Sequence, residues 1–253
     1  MQKFSIPIIT YHSIDDSGSV ISTSPAIFAR QMRFLFENGY SALTLRDLLS
    51  IVDNDGQLPP NPIVLTFDDG FQNFYNHALP ILSDVNFKAT VFVVTDFCGG
   101  YNDWPGNPSD LPRSPLLSWQ EIRELDENGI EFGAHGKNHS DLTKQSPEAA
   151  KIEILGSKAR LEDSIGRKVH SFAYPYGRFN SATRGLAAAN FDGACSTKLG
   201  KYGSNDDLYT MNRLDAYYLG NLRVFEMLST AAFDRYILLR RCLRSVRSAA
   251  KSV

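Results

Sequence analysis

Short apolar runs, rich in β-branched residues, alternate with longer amphipathic stretches along most of this chain. The runs predict strands buried in a parallel sheet. The stretches, in which apolar positions recur every three or four residues, predict helices packed on that sheet. The predicted strands span residues 6–12, 42–43, 63–67, 89–94, 130–135, 169–174, 191–196 and 213–217.

Strands that alternate with helices indicate successive βαβ units, so the predicted fold class is α/β with a parallel sheet. The seven or eight units are too regular for a division into two domains. We therefore predict a single domain over residues 1–253, built as an irregular (β/α) barrel. A doubly wound open sheet is the alternative.

Composition narrows the class of protein. The 253 residues carry a formal net charge of −2, which gives no reason to expect nucleic acid as a partner. Three widely spaced cysteines argue against a disulfide framework and favour a reducing compartment. The first residues lack the apolar core of a signal peptide and no run reaches transmembrane length, so we expect a cytoplasmic protein.

Two carboxylates, Asp68 and Asp69, end the strand predicted at residues 63–67. Successive side chains of a strand point to opposite sides, so one carboxylate can face a metal while the other faces a substrate. Chemistry in α/β folds collects at the carboxyl ends of strands, where this pair lies. The alternative is an ordinary turn, because Asp-Gly after a strand is common turn chemistry.

His135 and His139 also follow a predicted strand end, and their spacing allows both imidazoles to bind one metal ion. Alone, the pair is weak evidence for a metal site. Together with Asp69 it forms the two-histidine, one-carboxylate set of a catalytic zinc centre, which leaves a position for water. Asp68 would then be free to take a proton from that water.

Three motifs, in this order and spacing, resemble those of the polysaccharide deacetylases, also known as carbohydrate esterase family 4 or the NodB-homology domain. They are Thr66-Phe67-Asp68-Asp69-Gly70, His135-x-x-x-His139 and Phe172-Ala173-Tyr174-Pro175-Tyr176-Gly177. The resemblance covers roughly residues 6–217. It implies a distorted (β/α)7, TIM-like barrel and metal-dependent hydrolysis of N-acetyl groups on amino sugars.

The resemblance also implies roles for individual residues. Asp69, His135 and His139 would be the metal ligands, and Asp68 would be the catalytic base. The backbone N–H of Tyr176 would help to hold the oxyanion. Zinc is the default metal, although nickel, cobalt or iron would fit the same ligands.

The chain departs from the family pattern in the second and third motifs. Gly136 stands where the family has Ser or Thr, and Ala173 stands where it has an arginine that orients the catalytic aspartate. Another cation should then orient Asp68. Arg213 is the predicted replacement, with Arg178 as the second choice.

The late catalytic histidine of the family is also missing, because no histidine follows His170. The leaving amine still needs a proton. His12 ends the first predicted strand, on the same barrel face as Asp69, and the stretch Tyr11-His12-Ser13-Ile14 resembles the opening of the biofilm-exopolysaccharide deacetylase branch. We therefore predict that His12 is the general acid.

A long loop at residues 99–115, rich in Gly, Pro, Asn and Asp, could form one wall of the substrate pocket. Asn102 and Trp104 are its predicted substrate-binding residues, because aromatic rings stack on pyranose faces and amides bind hydroxyl groups. The alternative is that both residues merely hold the loop in place.

The C-terminal stretch at about residues 232–253 has the pattern of a basic amphipathic helix. Such a helix can lie on an anionic membrane surface, which makes peripheral membrane contact one interpretation. The other is a closing helix with a solvated face.

The predicted function is removal of N-acetyl groups from an amino-sugar polysaccharide or oligosaccharide by a metal-dependent hydrolase. One alternative keeps the hydrolase but changes the substrate to a small non-sugar amide or a cyclic imide. The other alternative is a catalytically inactive glycan-binding protein, which the altered third motif permits. The intact Asp68, Asp69, His135 and His139 argue against inactivity.

Overall fold

Seven parallel strands close into a barrel in the computed structural model, which describes residues 3–251 and their side chains up to residue 244. The described strands are β1 (Ser5–Ile6), β2 (Ile8–Tyr11), β3 (Ser13–Ile14), β4 (Ser22–Thr23), β5 (Ser41–Leu43), β6 (Pro62–Phe67), β7 (Thr90–Val93), β8 (Glu131–Ala134), β9 (Ser171–Ala173), β10 (Gly193–Leu199), β11 (Tyr202–Gly203) and β12 (Met211–Asp215).

The barrel order is β2-β12-β10-β9-β8-β7-β6, and the pairing of β2 with β6 closes the ring. The short strand β5 pairs with β6 in addition. The predicted distorted (β/α)7 barrel is therefore confirmed, and the open sheet is wrong because the strand ring has no free edge between β2 and β6.

Helices cover the outside of the barrel. They are α1 (Pro25–Glu37), α2 (Leu45–Asp53), α3 (Leu79–Asp84), α4 (Trp119–Glu127), α5 (Pro147–Ile165), α6 (Ser181–Asn190), α7 (Leu222–Phe225) and α8 (Ala231–Lys251). Helix α4 begins with a capping box: Ser118 Oγ accepts from the N–H of Glu121 at 3.2 Å, and the Glu121 carboxylate accepts from the N–H of Ser118 at 2.7 Å.

The alternation of side chains along β6 divides the core into two parts. Ile63 and Leu65 point outwards and pack in the larger cluster between strands and helices, while Val64 packs inside the barrel. The inward parity continues through Thr66 to Asp68. This register places the carboxylate of Asp68 inside the barrel, at the end where the strands have their carboxyl ends. We call this the upper end.

The last barrel strand is displaced from its predicted position by two residues. Met211–Asp215 forms β12, in place of residues 213–217, because Asp215 Oδ1 accepts from the N–H of Tyr217 at 3.0 Å and caps a 3₁₀ turn there. Met211 packs in the interior cluster. Arg213 has the same parity and therefore also points into the barrel.

A buried polar group fills the opposite end of the barrel. The carboxylate of Glu131, at the start of β8, accepts hydrogen bonds from Thr90 Oγ1, Ser171 Oγ and the N–H of Arg46, each at 2.8 Å. Burial is the largest influence on this group and raises the pKa of Glu131 above its ordinary value, although these hydrogen bonds act to lower it.

Helix α8 contacts β10. In the first turn of this helix, Asp234 Oδ1 forms an ion pair with Lys201 Nζ at 2.7 Å. Further along, Arg244 Nη1 donates to the carbonyl of Thr197 at 2.9 Å. Among the described helices, none is both long and apolar enough to cross a membrane.

Candidate active site

The carboxyl ends of four barrel strands bring the predicted site residues together. Asp68 and Asp69 follow β6, His12 follows β2, His135 follows β8 and Tyr176 follows β9. Together with His139 they line one cavity of about 320 Å³. The upper face of a parallel barrel is where such enzymes carry their chemistry, so this cavity is the candidate active site.

Asp69, His135 and His139 are buried and are arranged as a metal-binding set. Asp69 Oδ1 lies 3.4 Å from Nε2 of His135 and 3.3 Å from Nε2 of His139. Two ligands bound about 2.0–2.1 Å from one tetrahedral ion are separated by about 3.4 Å. The observed separations fit a divalent cation. Asp69 Oδ1 is also buried without a hydrogen-bond partner among the described residues, as expected of a metal-ligating atom.

The protonation of the two imidazoles suits cation binding. His135 Nδ1 lies 2.7 Å from the carbonyl oxygen of Ala173, which can only accept, so this nitrogen carries a proton and Nε2 is the atom left for a cation. Burial acts to lower the pKa of His135, but the neighbouring carboxylates Asp69 and Asp68 raise it, so a cation bound at Nε2 would displace a proton. Burial lowers the pKa of His139 to about 4, so its imidazole is neutral at pH 7. Neutral imidazole is the metal-binding form.

A sharp turn after β6 presents the two adjacent carboxylates. Asp69 and Gly70 are both left-handed, with φ of 71° and 75°, so Asp69 leaves the strand alternation that Asp68 still obeys. A Cβ atom at Gly70 would lie 3.0 Å from Val93 Cγ1. Gly70 can therefore adopt the left-handed φ, and it leaves room for the side chain of Val93 on β7.

Arg213, the predicted partner of Asp68, contacts that carboxylate inside the barrel. Arg213 Nη1 and Nη2 donate to Oδ1 and Oδ2 of Asp68, each at 2.7 Å, and Arg213 Nε donates to the carbonyl of Ser196 at 2.9 Å. Burial acts to raise the pKa of Asp68, but the charge and the hydrogen bonds of Arg213 offset it and hold that pKa below its ordinary value.

Arg178, the second choice for this contact, lies elsewhere. Its Nη1 atom donates to Asp141 Oδ2 at 2.6 Å. Ala173, where the family has arginine, packs with Phe92 and Cys195 in the interior cluster. The guanidinium of Arg213 lies 5.8 Å from the ring centroid of Phe92. In this chain the cation that binds Asp68 therefore enters the barrel from β12.

Three aromatic rings form one side of the cavity. The imidazole of His139 lies between Trp104 and Tyr176, with ring centroids 4.6 and 4.5 Å away. Tyr176 is left-handed, with φ of 58°. The indole of Trp104 is only 3% exposed, and its Nε1 has no hydrogen-bond partner in the described part of the chain.

Asn102 does not line the cavity. Its buried amide donates to the carbonyl of Pro112 at 3.0 Å and accepts from the N–H of Ser114 at 2.7 Å, which closes the loop that carries Trp104. The geometry thus gives Asn102 the loop-holding role that was its alternative interpretation. Trp104, from the same loop, does reach the cavity.

Sequence reasoning missed several residues of the cavity wall. They are Val20, Ile21, Asn107, Pro108, Asp110, Leu111 and Thr197. Asn107, Pro108, Asp110 and Leu111 belong to the loop at residues 99–115, whose composition predicted a pocket wall but not these individual residues. Val20, Ile21 and Thr197 belong to no motif, and only the closure of the barrel and the packing of loops bring them to the cavity. No local signal could have identified these three.

The family assignment follows from sequence comparison. A sequence profile named "Polysaccharide deacetylase" matches residues 55–192, which include the Asp pair and both histidines. The chain belongs to the polysaccharide deacetylase family. It is accordingly a hydrolase of carbon–nitrogen bonds other than peptide bonds.

Two curated relatives and one solved structure show the range of similarity. The chain is 27% identical to YxkH of Bacillus subtilis, named for the polysaccharide deacetylases, over 92% of this chain and 76% of that protein. It is 27% identical to the poly-β-1,6-N-acetyl-D-glucosamine N-deacetylase of Escherichia coli over 68% of this chain, but only 30% of that protein is matched. The deacetylase PplD of Streptococcus pyogenes, solved with acetate, superposes with a TM-score of 0.75 at 28% identity, covering 85% of this chain and 93% of that one.

Proposed function

We propose that this polysaccharide deacetylase is a metal-dependent enzyme that removes N-acetyl groups from an amino-sugar polysaccharide or oligosaccharide. One observation carries the proposal: the cation-binding set of Asp69, His135 and His139 lies directly beside Asp68, a buried carboxylate held by Arg213. A glycan-binding protein has no need of an oriented base next to a metal site. The name of the E. coli relative supports an N-acetylated amino-sugar substrate.

Asp69, His135 and His139 would hold the cation, most simply zinc, with nickel, cobalt or iron also compatible with these ligands. A bound divalent cation supplies Lewis-acid chemistry to the acetyl carbonyl and lowers the pKa of water. The remaining steps belong to the side chains around it.

Asp68 accepts a proton from the attacking water while the oxygen of that water bonds to the acetyl carbon. Arg213 keeps the Asp68 carboxylate in one orientation through its two hydrogen bonds. The N–H of Tyr176 donates to the oxygen on which negative charge develops. His12 donates a proton to the nitrogen as the carbon–nitrogen bond breaks. The products are acetate and a free amine on the sugar.

Acetate release from defined substrates tests the proposed substrate class. The zinc-loaded protein should release acetate from β-1,6- or β-1,4-linked N-acetylglucosamine oligomers, and chelation should abolish the release. Retained activity after chelation, with zinc shown to be gone, would overturn metal dependence. Turnover of small amides and of no oligomer would overturn the glycan assignment.

The size of the cavity favours one second candidate. At about 320 Å³ it lies near the lower end of the ~300–1,000 Å³ range of small-molecule sites. This volume would also suit a small non-sugar amide or a cyclic imide. Acetate release from acetamide derivatives and ring opening of cyclic imides, both measured beside acetate release from the oligomers, distinguish the two candidates.

Peripheral membrane contact through α8 is a further part of the proposal. The leucines at 238, 239 and 243 are 53%, 58% and 44% exposed, while Phe233 and Ile237 on the opposite side are buried. The described arginines of this helix are Arg235, Arg240, Arg241 and Arg244. The exposed leucines match the apolar face of a helix that lies on a bilayer surface, while Arg240 lies over the rings of Tyr218 and Tyr236 and Arg244 donates to Thr197.

Cosedimentation with lipid vesicles tests this contact. The full chain should bind phosphatidylglycerol-containing vesicles but not neutral ones. Because each inserted leucine contributes ~1.5–3 kcal/mol, replacing Leu239 and Leu243 by serine should weaken binding about 100-fold or more. Ile152→Ser, at an exposed apolar residue of α5, is the matched control. Equal binding by all three proteins would rule out the contact.

A further inference from the structure

The loop between the two histidine ligands is wrapped around a carboxylate from a different element. Glu153 lies on α5 and is only 7% exposed. Its Oε2 accepts from the N–H groups of Lys137 and Asn138, at 2.9 and 3.0 Å. Its Oε1 accepts from Asn138 Nδ2 at 2.7 Å. Three donors of the segment that separates His135 from His139 thus converge on one side chain.

Gly136 makes this contact possible. It is left-handed, with φ of 78°, and a Cβ atom there would lie 3.1 Å from Glu153 Oε2 and 3.5 Å from Pro175 Cγ. A larger side chain at this position would press against the carboxylate. The glycine at position 136, where the family pattern has Ser or Thr, therefore leaves room for the buried carboxylate of Glu153.

The opposite edge of the same loop is tied to the segment after β7. The carbonyl of Gly136 accepts from the N–H of Thr95 at 3.2 Å, and the carbonyl of Lys137 accepts from the N–H of Asp96 at 3.0 Å. The loop ends at His139, whose φ of 52° is unfavourable for a residue with a β-carbon. Such a conformation persists only where the surroundings determine it.

We propose that Glu153 is the positioning residue of the metal site. By gathering the N–H groups of residues 137 and 138, it determines the path of the loop and hence the separation of the His135 and His139 imidazoles. The inference rests on the proposed metal centre and extends it, because Glu153 itself does not reach the cation-binding atoms. Its effect is on metal affinity.

Zinc affinity, measured by competition with a chromophoric chelator, tests the proposal without any substrate. Glu153→Ala removes all three contacts and should weaken zinc binding about 10- to 100-fold, the range seen when groups that orient metal ligands are lost. Glu153→Gln should restore affinity to within about threefold of the parent, because its amide oxygen can accept both N–H groups while the Asn138 amide turns over.

Ile154→Val is the matched control, since it trims a buried side chain at the next position of α5 and leaves the loop contacts intact. It should lower thermal stability slightly and leave zinc affinity unchanged. Parent-like affinity in Glu153→Ala, or an equal loss in Ile154→Val, would overturn the proposal. If the alanine variant does not fold, Glu153→Asp shortens the side chain by one methylene and should also weaken binding. Unchanged affinity there would overturn the proposal equally.

The zinc-affinity test of Glu153 and the activity test of the proposed function can fail independently. A protein that binds zinc tightly but deacetylates no glycan would contradict the substrate assignment, and the affinity series would still decide the role of Glu153. A parent protein that binds no zinc, nickel, cobalt or iron would overturn both.

Discussion

The most demanding prediction concerns the buried ion pair between Arg213 and Asp68. Replacing Arg213 by Met keeps most of the side-chain volume and removes the charge. Asp68, 2% exposed, would lose both hydrogen bonds that hold its two oxygens. Leaving one member of a buried pair without its partner costs about 3–5 kcal/mol, which Asp68 can avoid only by taking up a proton.

A protonated or reoriented Asp68 cannot accept a proton from water. Because general acid–base catalysis is worth about 10²- to 10⁴-fold in rate, Arg213→Met should lower kcat/KM at least ~100-fold, or about 2.7 kcal/mol. Arg213→Lys keeps the charge but cannot bind both carboxylate oxygens as a planar fork, so its loss should be intermediate.

Three measurements are needed on each variant: acetate release, bound zinc and the free energy of unfolding. Zinc content should remain that of the parent, since Arg213 contacts no ligand of the cation site. In the Asp68→Asn background, Arg213→Met should cost less stability than in the parent, because no carboxylate is left unpaired. Strictly additive stabilities, with kcat/KM of Arg213→Met within threefold of the parent, would refute this reasoning.

Three further predictions concern other parts of the barrel. His12→Ala should leave zinc content intact but lower turnover about 10²-fold or more, because the leaving amine loses its proton donor; unchanged turnover would exclude His12 as the acid. Glu131→Gln should change the pH dependence of stability. The folded-state pKa of Glu131 is raised, so the unfolded chain gives up this proton first and the parent loses stability as pH rises from the ordinary glutamate pKa towards the raised value. Denaturant unfolding at several pH values should show that loss in the parent but not in the glutamine variant, and parallel curves would contradict it. Zinc at 100 times its Kd should stabilise the protein by about 2.7 kcal/mol, and most of that gain should vanish in Asp69→Asn; an equal shift in melting temperature for both proteins would place the cation elsewhere.

The barrel and the centre of its site were accessible from local sequence signals. Buried strands of parallel sheets are recognisable as β-branched runs, and their carboxyl ends necessarily meet at one face. Asp69, His135 and His139 each follow such a run closely. The contact of Arg213 with Asp68 was also predictable, because the family arginine is absent at Ala173 and the buried carboxylate requires a cation.

The surroundings of the site were not accessible in this way. Thr197 reaches the cavity only because of barrel closure, and Glu153 meets the histidine loop through helix packing over 15 residues of chain. Asn102 shows the opposite case: its loop position indicated substrate contact, but the turn conformation buries its amide. Contacts of this kind depend on three-dimensional packing and leave no periodic pattern.

Asp68 is the proposed base of a metal-dependent deacetylase. The most direct test of this role is acetate release from N-acetylglucosamine oligomers by the zinc-loaded parent and by Asp68→Asn, with equal zinc content shown for both. The parent should release acetate, and Asp68→Asn should lose at least ~100-fold of that activity. Equal release by both proteins, or none by the zinc-loaded and folded parent, would contradict it.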